Sequence, residues 1–332
     1  MGRDRALGLT RGTEPGASAA PHVHSAAHPT EHPGTDAWLG PLLAIFGVLG
    51  FSFKAILIKL AYTWASVDPV ALLTLRMLYS APFFAALAWW AGRGANVQPM
   101  RARDWRHLAA LGFVGYYIAS LLDFVGLQYV TASLERLVLF LYPTIVVVLS
   151  AMFLHRPITR RAVVALVLSY AGIALAVRHD IRLSGDPLAI AVGSGLIFVS
   201  AVTYAIYLVG AGPVIARLGS ARFIAWAMLL STIYICVHFA LTRQLAALAV
   251  PLRIQMLCIA MAIFSTVLPT WMMAEAVHRM GAGPASLVGS LGPVFTLGLG
   301  AMMLGERISG AQLAGVVLVL IGVVMVSRRP AR

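Results

Sequence analysis

Apolar segments recur about every 30 residues from Trp38 onward, and short polar stretches separate them. This spacing accommodates the ~20 residues that an α-helix needs to cross a bilayer, together with a short loop. The pattern therefore predicts an all-α integral membrane protein with ten transmembrane helices. We place the ten spans at residues 38–61, 68–92, 108–129, 132–154, 158–177, 187–210, 221–242, 254–278, 283–304 and 308–327.

Composition supports a membrane protein. Of the 332 residues, 60% are hydrophobic and only 11% are charged, whereas soluble globular domains contain about 45–50% apolar residues. These values exclude a water-soluble enzyme domain. The net charge of +13 lies on basic residues between the apolar runs, where cytoplasmic membrane flanks carry them, so we expect no nucleic-acid partner.

The cysteines and histidines give no pattern typical of a metal or cofactor site. Cys236 and Cys258 lie in or beside apolar runs without metal-ligand spacing, and we expect them to be packing residues. Residues 1–37 are rich in Gly, Pro, Ala and His, which is typical of a disordered, uncleaved cytoplasmic tail. Its histidines lack companion carboxylates or cysteines at fixed spacing. We therefore expect no metal and no cofactor.

Arginine placement predicts the orientation in the membrane, because cytoplasmic loops carry an excess of Lys and Arg. With the N-terminal tail inside, sixteen arginines fall on inward segments and five on outward segments. An even number of spans then places both termini in the cytoplasm. Only two of the 25 basic residues are lysines, Lys54 and Lys59, which suggests a GC-rich genome and a bacterial inner membrane.

The sequence also repeats itself at an offset of 150 residues. Between 131–178 and 281–328, fourteen of 48 positions are identical without a gap, and Pro143 falls on Pro293. This predicts two five-helix repeats, at 38–177 and 187–327. Because five is odd, the second repeat enters the membrane from the opposite side, as in many secondary transporters.

Two proline-centred helices, LFLYPTIVVVLSAMFL and SLGPVFTLGLGAMMLGE, are each followed by a polar turn and a Gly-containing helix. This arrangement resembles the EamA-like drug/metabolite transporter superfamily. The GLGAMMLGERISGAQLAGVVLVLIGVV stretch around Glu306 is a close match to the ending of that family's second repeat, whereas His155 and Arg156 replace the Gly-Glu pair in the first. The resemblance covers about residues 40–328. It implies ten helices and the export or exchange of small metabolites, and it informs on fold more than on substrate.

The paired prolines are candidate hinges. Pro143 and Pro293 each lie about ten residues into a span, near the bilayer midplane at ~1.5 Å per residue. Each proline frees the carbonyl four residues earlier, on Leu139 and Gly289. A broken helix at this depth either lines a substrate site or is a kink that neighbouring helices accommodate.

Charged residues inside spans mark a candidate substrate-binding or gating site, because a centred charge costs about 2.5–3.5 kcal/mol on insertion scales. Either these side chains neutralise one another around a wet vestibule, or they form a structural ion-pair network. In one arrangement Arg76 and Asp123 form a closed pair between the second and third spans, and in another Asp123 carries a proton. The five residues in the outer half of the first repeat are Lys54, Arg76, Asp123, Glu135 and Arg136.

Two aromatic residues, Tyr117 and Trp271, lie deep in their spans; they either contact an organic substrate or pack among apolar side chains. The sequence thus predicts a secondary transporter, an exporter or exchanger of small organic metabolites such as amino acids. The alternative is a membrane enzyme acting on a lipid-linked substrate, but no convergent catalytic set is evident. The expected partners are a small-molecule substrate and the lipid bilayer, and a homodimer is left open.

Overall fold

The computed structural model describes residues 38–93, 98–154 and 159–327. Over these ranges the regular structure is entirely helical. The N-terminal tail, His155 and Arg156, and the residues from 328 onward lie outside the described ranges, so the predictions made for them remain predictions.

Ten spans follow one another in chain order, and the fourth and ninth are each divided into two halves. Taking the halves together, nine described spans are long and apolar enough to cross a membrane, and the apolar part of the last, Gly310–Met325, is shorter. The helices are α1 Leu39–Trp64, α2 Pro69–Ala91, α3 Ala102–Gly126, α4a Ala132–Leu139, α4b Tyr142–Leu154, α5 Arg160–Ser184, α6 Pro187–Leu218, α7 Ser220–Thr242, α8 Leu252–Met280, α9a Ala282–Gly289, α9b Gly292–Leu304 and α10 Gly310–Ser327.

The prediction of an all-helical, multi-pass membrane protein is confirmed, but several predicted spans were too short, and α5 continues seven residues past its predicted end. Helix α3 begins six residues before its predicted start, and α6 continues eight residues past its predicted end. Both extensions contain charged residues that a hydropathy pattern excludes. The two extensions pair with each other, since Arg217 Nη1 of α6 lies 2.5 Å from Asp104 Oδ1 of α3.

Local sequence explains where several helices begin. The side chain of Asp68 accepts hydrogen bonds from the backbone of Val70 and Ala71 at the start of α2, at 2.9 and 3.1 Å. Asp186 accepts one from Ala189 at 2.9 Å at the start of α6. A proline follows each aspartate, and proline suits the first helical position because its missing N–H has no partner there anyway.

The fourth and ninth spans break at equivalent positions. Helix α4a ends at Leu139 and α9a ends at Gly289, 150 residues later. In each break the last turn tightens, with Leu141 N donating to Val138 O at 3.1 Å and Leu291 N to Val288 O at 3.0 Å. Pro143 and Pro293 are the second residues of α4b and α9b, so each proline opens a new half-helix instead of kinking a continuous one.

A second irregularity also recurs at this offset. Helix α3 contains a π-helical segment at Phe113–Ile118, and α8 contains one at Ile263–Val267. In α8 the Thr266 hydroxyl donates to Met261 O, five residues earlier, at 3.0 Å. Such π-segments leave the regular ladder of backbone hydrogen bonds incomplete and frequently mark functional positions.

Helices α5 and α10 form the closest backbone approach. A Cβ atom placed on Gly172 would lie 2.5 Å from Gly315 O, and one placed on Gly315 would lie 2.6 Å from Gly172 O. Small residues allow such contact between membrane helices. Of this pair, α10 reaches the central cavity through Val323, whereas α5 contributes no lining residue.

Candidate functional site

A cavity of about 560 Å³ lies within the bundle, and every span except α5 contributes to its lining. Both helix breaks reach it, through Leu139, Pro143 and Gly289. Both π-helical segments reach it as well, through Gly115 in α3 and Ser265 in α8. The four irregular segments of backbone therefore converge on one internal space, in agreement with the rule that non-helical backbone at membrane depth lines a cavity or is buried in protein.

Equivalent positions of the two sequence repeats line this cavity together. Six pairs of lining residues stand 150 positions apart. They are Lys54 and Tyr204, Gly115 and Ser265, Tyr116 and Thr266, Ser120 and Thr270, Asp123 and Met273, and Leu139 and Gly289. In two of these pairs the first repeat carries a charged residue, Lys54 or Asp123, and the second carries a neutral one. We call the charged lining residues the charged wall and the remaining lining the uncharged wall.

The charged wall is organised around Lys54. Its Nζ donates to Asp123 Oδ2 at 2.6 Å and lies 3.5 Å from Glu135 Oε1. Both carboxylates are buried, with Asp123 2% and Glu135 0% exposed. One ammonium group from α1 thus joins carboxylates from α3 and α4a.

Arg76 does not make the predicted pair with Asp123. Within the part of the chain that the structure describes it forms no ion pair, and its Nη2 lies 3.9 Å from Met77 Sδ. Its guanidinium stacks over Phe124, 5.3 Å from the ring centroid, an arrangement that favours a cation through the ring quadrupole. The predicted closed pair between α2 and α3 is wrong, because Asp123 pairs with Lys54 of α1 instead.

Arg136 lines the cavity at the point where the two broken spans meet. A Cβ atom on Gly292, the first residue of α9b, would lie 2.7 Å from Arg136 Nη2, so the guanidinium lies directly against the backbone at the start of α9b. The Nε of Arg136 has no hydrogen-bond partner among the described residues, and neither does that of Arg76. Two guanidinium groups facing the cavity are therefore available to an anion.

The uncharged wall supplies hydroxyl groups. Tyr204 of α6 lies edge to face with Tyr142 of α4b, with ring centroids 5.2 Å apart, and both residues line the cavity. Ser200 Oγ donates to Ala119 O at 2.7 Å. Aromatic faces and hydroxyls beside an apolar lining suit the carbon skeleton of a small organic molecule.

The structure locates the other predicted site residues differently. Glu135 is buried beside the cavity, and Pro293 is buried in α9b. Tyr117 hydrogen-bonds His238 Nδ1 at 2.9 Å and is not one of the described lining residues. Trp271 is 58% exposed on the outside of the bundle. The geometry therefore does not bring Tyr117 and Trp271 to the cavity, because their helix faces point away from it.

Sequence reasoning missed the role of Glu306. The carboxylate of this residue, between α9b and α10, accepts hydrogen bonds from Ala132 N at 2.8 Å, Ser133 N at 3.3 Å and Ser133 Oγ at 2.5 Å. Glu306 therefore caps the N-terminus of α4a from more than 170 residues away. The sequence shows Glu306 beside a glycine, and nothing in it indicates which helix end the carboxylate meets.

No group of three or more His, Cys, Asp or Glu side chains able to hold a metal occurs among the residues that the structure describes. The ionisable groups at the cavity are two carboxylates, one ammonium and two guanidiniums. This set can neutralise and orient a charged organic solute, and it can also hold protons.

Membrane-crossing helices whose interruptions meet at one internal, partly charged cavity define a multi-pass membrane transporter. The model of the EamA-like transporter family matches residues 38–178 and 191–328. The chain therefore belongs to the EamA-like transporter family, and it is a transporter and not an enzyme.

Curated relatives carry the same class of name. The chain is 28% identical over 285 residues to the uncharacterized transporter YcbK of Bacillus subtilis (strain 168), covering 84% of this chain and 90% of that protein. It is 25% identical to an uncharacterized transporter of Archaeoglobus fulgidus, covering 84% and 95%. A solved crystal structure shares the fold with a TM-score of 0.59 at 20% identity, covering 87% of this chain and 96% of that one.

Proposed function

We propose that this protein is a secondary transporter that exports or exchanges small organic metabolites bearing a carboxylate, such as amino acids. The convergence of both helix breaks and both π-segments on the central cavity carries this proposal. Hydroxyl groups that line the cavity supply hydrogen bonds to a solute, and broken helices of this kind form the midplane sites of many transporters.

The charge of the site supports a carboxylate as the recognised group. If all five ionisable groups carry their usual charge, the three cations exceed the two carboxylates by one. Lys54 is already bound to Asp123, whereas Arg136 forms no ion pair among the described residues. A guanidinium binds a carboxylate through parallel hydrogen bonds, so Arg136 is our candidate for the primary contact.

We further propose that the two family matches are inverted five-helix repeats and that both termini are cytoplasmic in a bacterial inner membrane. The recurrence of the breaks and π-segments at one offset supports the repeat. The odd number of helices in each repeat supports its inversion, and the arginine asymmetry supports the orientation.

Flux measurements in proteoliposomes test the proposed function. The purified chain is reconstituted, and uptake of a panel of radiolabelled amino acids and other small carboxylates is compared with that of empty liposomes. We expect saturable flux for at least one carboxylate. Neutral analogues that lack the carboxylate should be transported poorly, since a charge-assisted contact in a desolvated site depends on that group.

The matched variants are Arg136→Gln and Arg182→Gln. Arg182 is exposed in the last turn of α5, away from the cavity, so its variant should behave like the wild type. A hydrogen bond to a charged group contributes about 1.5–3 kcal/mol, so Arg136→Gln should weaken apparent affinity by roughly ten-fold or more. Equal affinity in the two variants would contradict the assignment of Arg136.

A further inference from the structure

Asp123 and Glu135 are two buried carboxylates that share a single ammonium group. Lys54 hydrogen-bonds only Asp123 Oδ2, and Glu135 Oε1 is 3.5 Å from its Nζ. The remaining oxygens, Asp123 Oδ1 and both oxygens of Glu135, have no hydrogen-bond partner among the described residues. A buried carboxylate in this state is costly, because nothing replaces the water it has lost.

Within the described ranges, no second cation contacts these unpaired carboxylate oxygens. Arg76 faces Phe124 and Met77, and Arg136 faces Gly292. The Tyr62 hydroxyl donates to Phe124 O at 2.8 Å and not to a carboxylate. The titratable and charged groups facing the pair are therefore Lys54 and Tyr62 from α1, Arg76 from α2 and Arg136 from α4a itself.

One proton added to the two carboxyl groups supplies the hydrogen-bond donor that their unpaired oxygens lack. The two carboxyl groups converge on one ammonium, because Lys54 Nζ lies 2.6 Å from Asp123 Oδ2 and 3.5 Å from Glu135 Oε1. If Glu135 is protonated, its O–H donates to Asp123, the hydrogen bond satisfies an oxygen on each side, and one negative charge remains opposite Lys54. Two adjacent carboxyl groups that cannot both ionise share a proton in this way.

We propose that Asp123 and Glu135 together form a proton-binding site that couples transport to the movement of protons. This extends the proposed function by naming the coupling ion, and it rests on that function. Asp123 lines the cavity and Glu135 is fully buried behind it. A solute carboxylate bound at Arg136 offsets the positive charge that Arg136 contributes beside Glu135 and so raises the affinity of the carboxyl pair for a proton, which links solute and proton binding.

Infrared difference spectroscopy tests the site with the proton itself as the probe and needs no substrate. The full chain is purified in a maltoside detergent, which has no ester carbonyl, and spectra at neutral and alkaline pH are subtracted. We expect a protonated-carboxyl band at neutral pH that shifts in D₂O and is replaced by carboxylate bands at alkaline pH. A pH indicator in weakly buffered solution should report about one more proton released per chain than from Glu135→Gln.

Three variants distinguish the pair from other acids. Glu135→Gln and Asp123→Asn should both lose the band, since either change leaves one carboxylate to pair with Lys54. Glu275→Gln removes a partly exposed glutamate that pairs with Arg279 at 2.7 Å, and it should retain the band. Glutamine has the shape of a protonated glutamate, so we expect Glu135→Gln to fold.

Identical spectra and proton release from the wild type and Glu135→Gln would overturn the proton site. If a variant does not fold, the wild-type spectrum still tests the proposal, because the absence of any protonated carboxyl at neutral pH overturns it. If the protein transports carboxylates in a manner that depends on Arg136 but shows no such band, the proton site is overturned and the proposed function stands. The band without any carboxylate flux would leave the proton site in place and count against the proposed function.

Discussion

At the scale of single residues, the groups that a charged side chain contacts determine what it can bind more than its charge alone does. Lys54, Arg76 and Arg136 are all cations at the cavity, but Lys54 is bound to a carboxylate, Arg76 lies over an aromatic ring and Arg136 has no ion partner among the described residues. The two guanidinium groups, unlike the ammonium of Lys54, form no ion pair among the described residues. Three residues of one charge therefore have three different surroundings.

Asp68 allows a test of residue-level energetics outside the membrane spans. It caps α2 and pairs with Arg243, whose Nη2 lies 2.9 Å from Asp68 Oδ2. Partial burial alone would raise the pKa of Asp68, but hydrogen bonds from Arg243 and from the backbone of Ala71 and Val70 lower it below its usual range. Because the folded pKa is lowered, the stabilisation is complete above the usual aspartate range and is lost as the pH falls through the folded pKa.

We expect Asp68→Ala to lower the free energy of unfolding by about 1 kcal/mol, the typical contribution of a helix cap. Asp68→Asn should cost less, since an asparagine still caps. Thermal unfolding in detergent at decreasing pH measures both effects. The wild type should lose more stability in acid than Asp68→Asn does, and Arg243→Gln serves as the control because it removes the ion pair and keeps the cap. Equal acid sensitivity in all three proteins would contradict this account.

At the scale of elements, the two broken helices are the most informative feature. Contacts from elsewhere in the chain reach both broken spans. The Ser52 hydroxyl of α1 donates to Gly292 O at 3.1 Å, beside the break in the ninth span, whereas Glu306 caps α4a at the end away from its break. These contacts give partners to backbone groups at the ends of two half-helices, which an interrupted helix in a membrane requires.

The prolines at the breaks should matter for transport more than for folding. Pro143→Ala and Pro293→Ala each restore a backbone N–H and favour a continuous helix, so we expect slower flux in proteoliposomes with near-normal expression. Pro82→Ala is the matched control, because Pro82 is also inside a helix but is exposed away from the cavity. Wild-type flux in both break variants would show that the prolines are structural only.

At the scale of the whole molecule, both matched segments of the chain line the cavity. Six pairs of lining positions are related by the same 150-residue offset, so the site is built from both halves of the protein. The charged groups belong to the first half, and both halves supply hydroxyl groups. A transporter assembled this way can expose one central site to either side by rocking one half against the other.

The orientation of the molecule is directly testable. An even number of spans and the arginine asymmetry predict that both termini face the cytoplasm. A reporter active only in the periplasm should give no signal when fused after Arg332, and a reporter active in the cytoplasm should. A fusion in the loop after Thr242, between α7 and α8, is the matched positive control for the periplasmic side. A periplasmic signal at the C-terminus would contradict the ten-span topology.

The sequence by itself determined the features that depend on local composition. Apolar runs of bilayer length predicted the ten helices, and the paired prolines predicted where two of them break, because helix formation and interruption depend on residues within a few turns. The 150-residue offset predicted that the breaks are equivalent. It also aligned Thr266 with Tyr116, a signal that could have identified the hydroxyls of α8 as lining residues.

Only the tertiary structure decided which of these residues meet. Contacts between helices depend on their rotation and packing, which hydropathy and spacing do not specify. For this reason Lys54, and not Arg76, pairs with Asp123, and Glu306 caps a helix far away in the chain. The same packing turns Trp271 outward and leaves Glu135 buried without a hydrogen-bond partner among the described residues. The chemistry of the site follows from these contacts, since the energy of a buried charge is set by the groups that touch it.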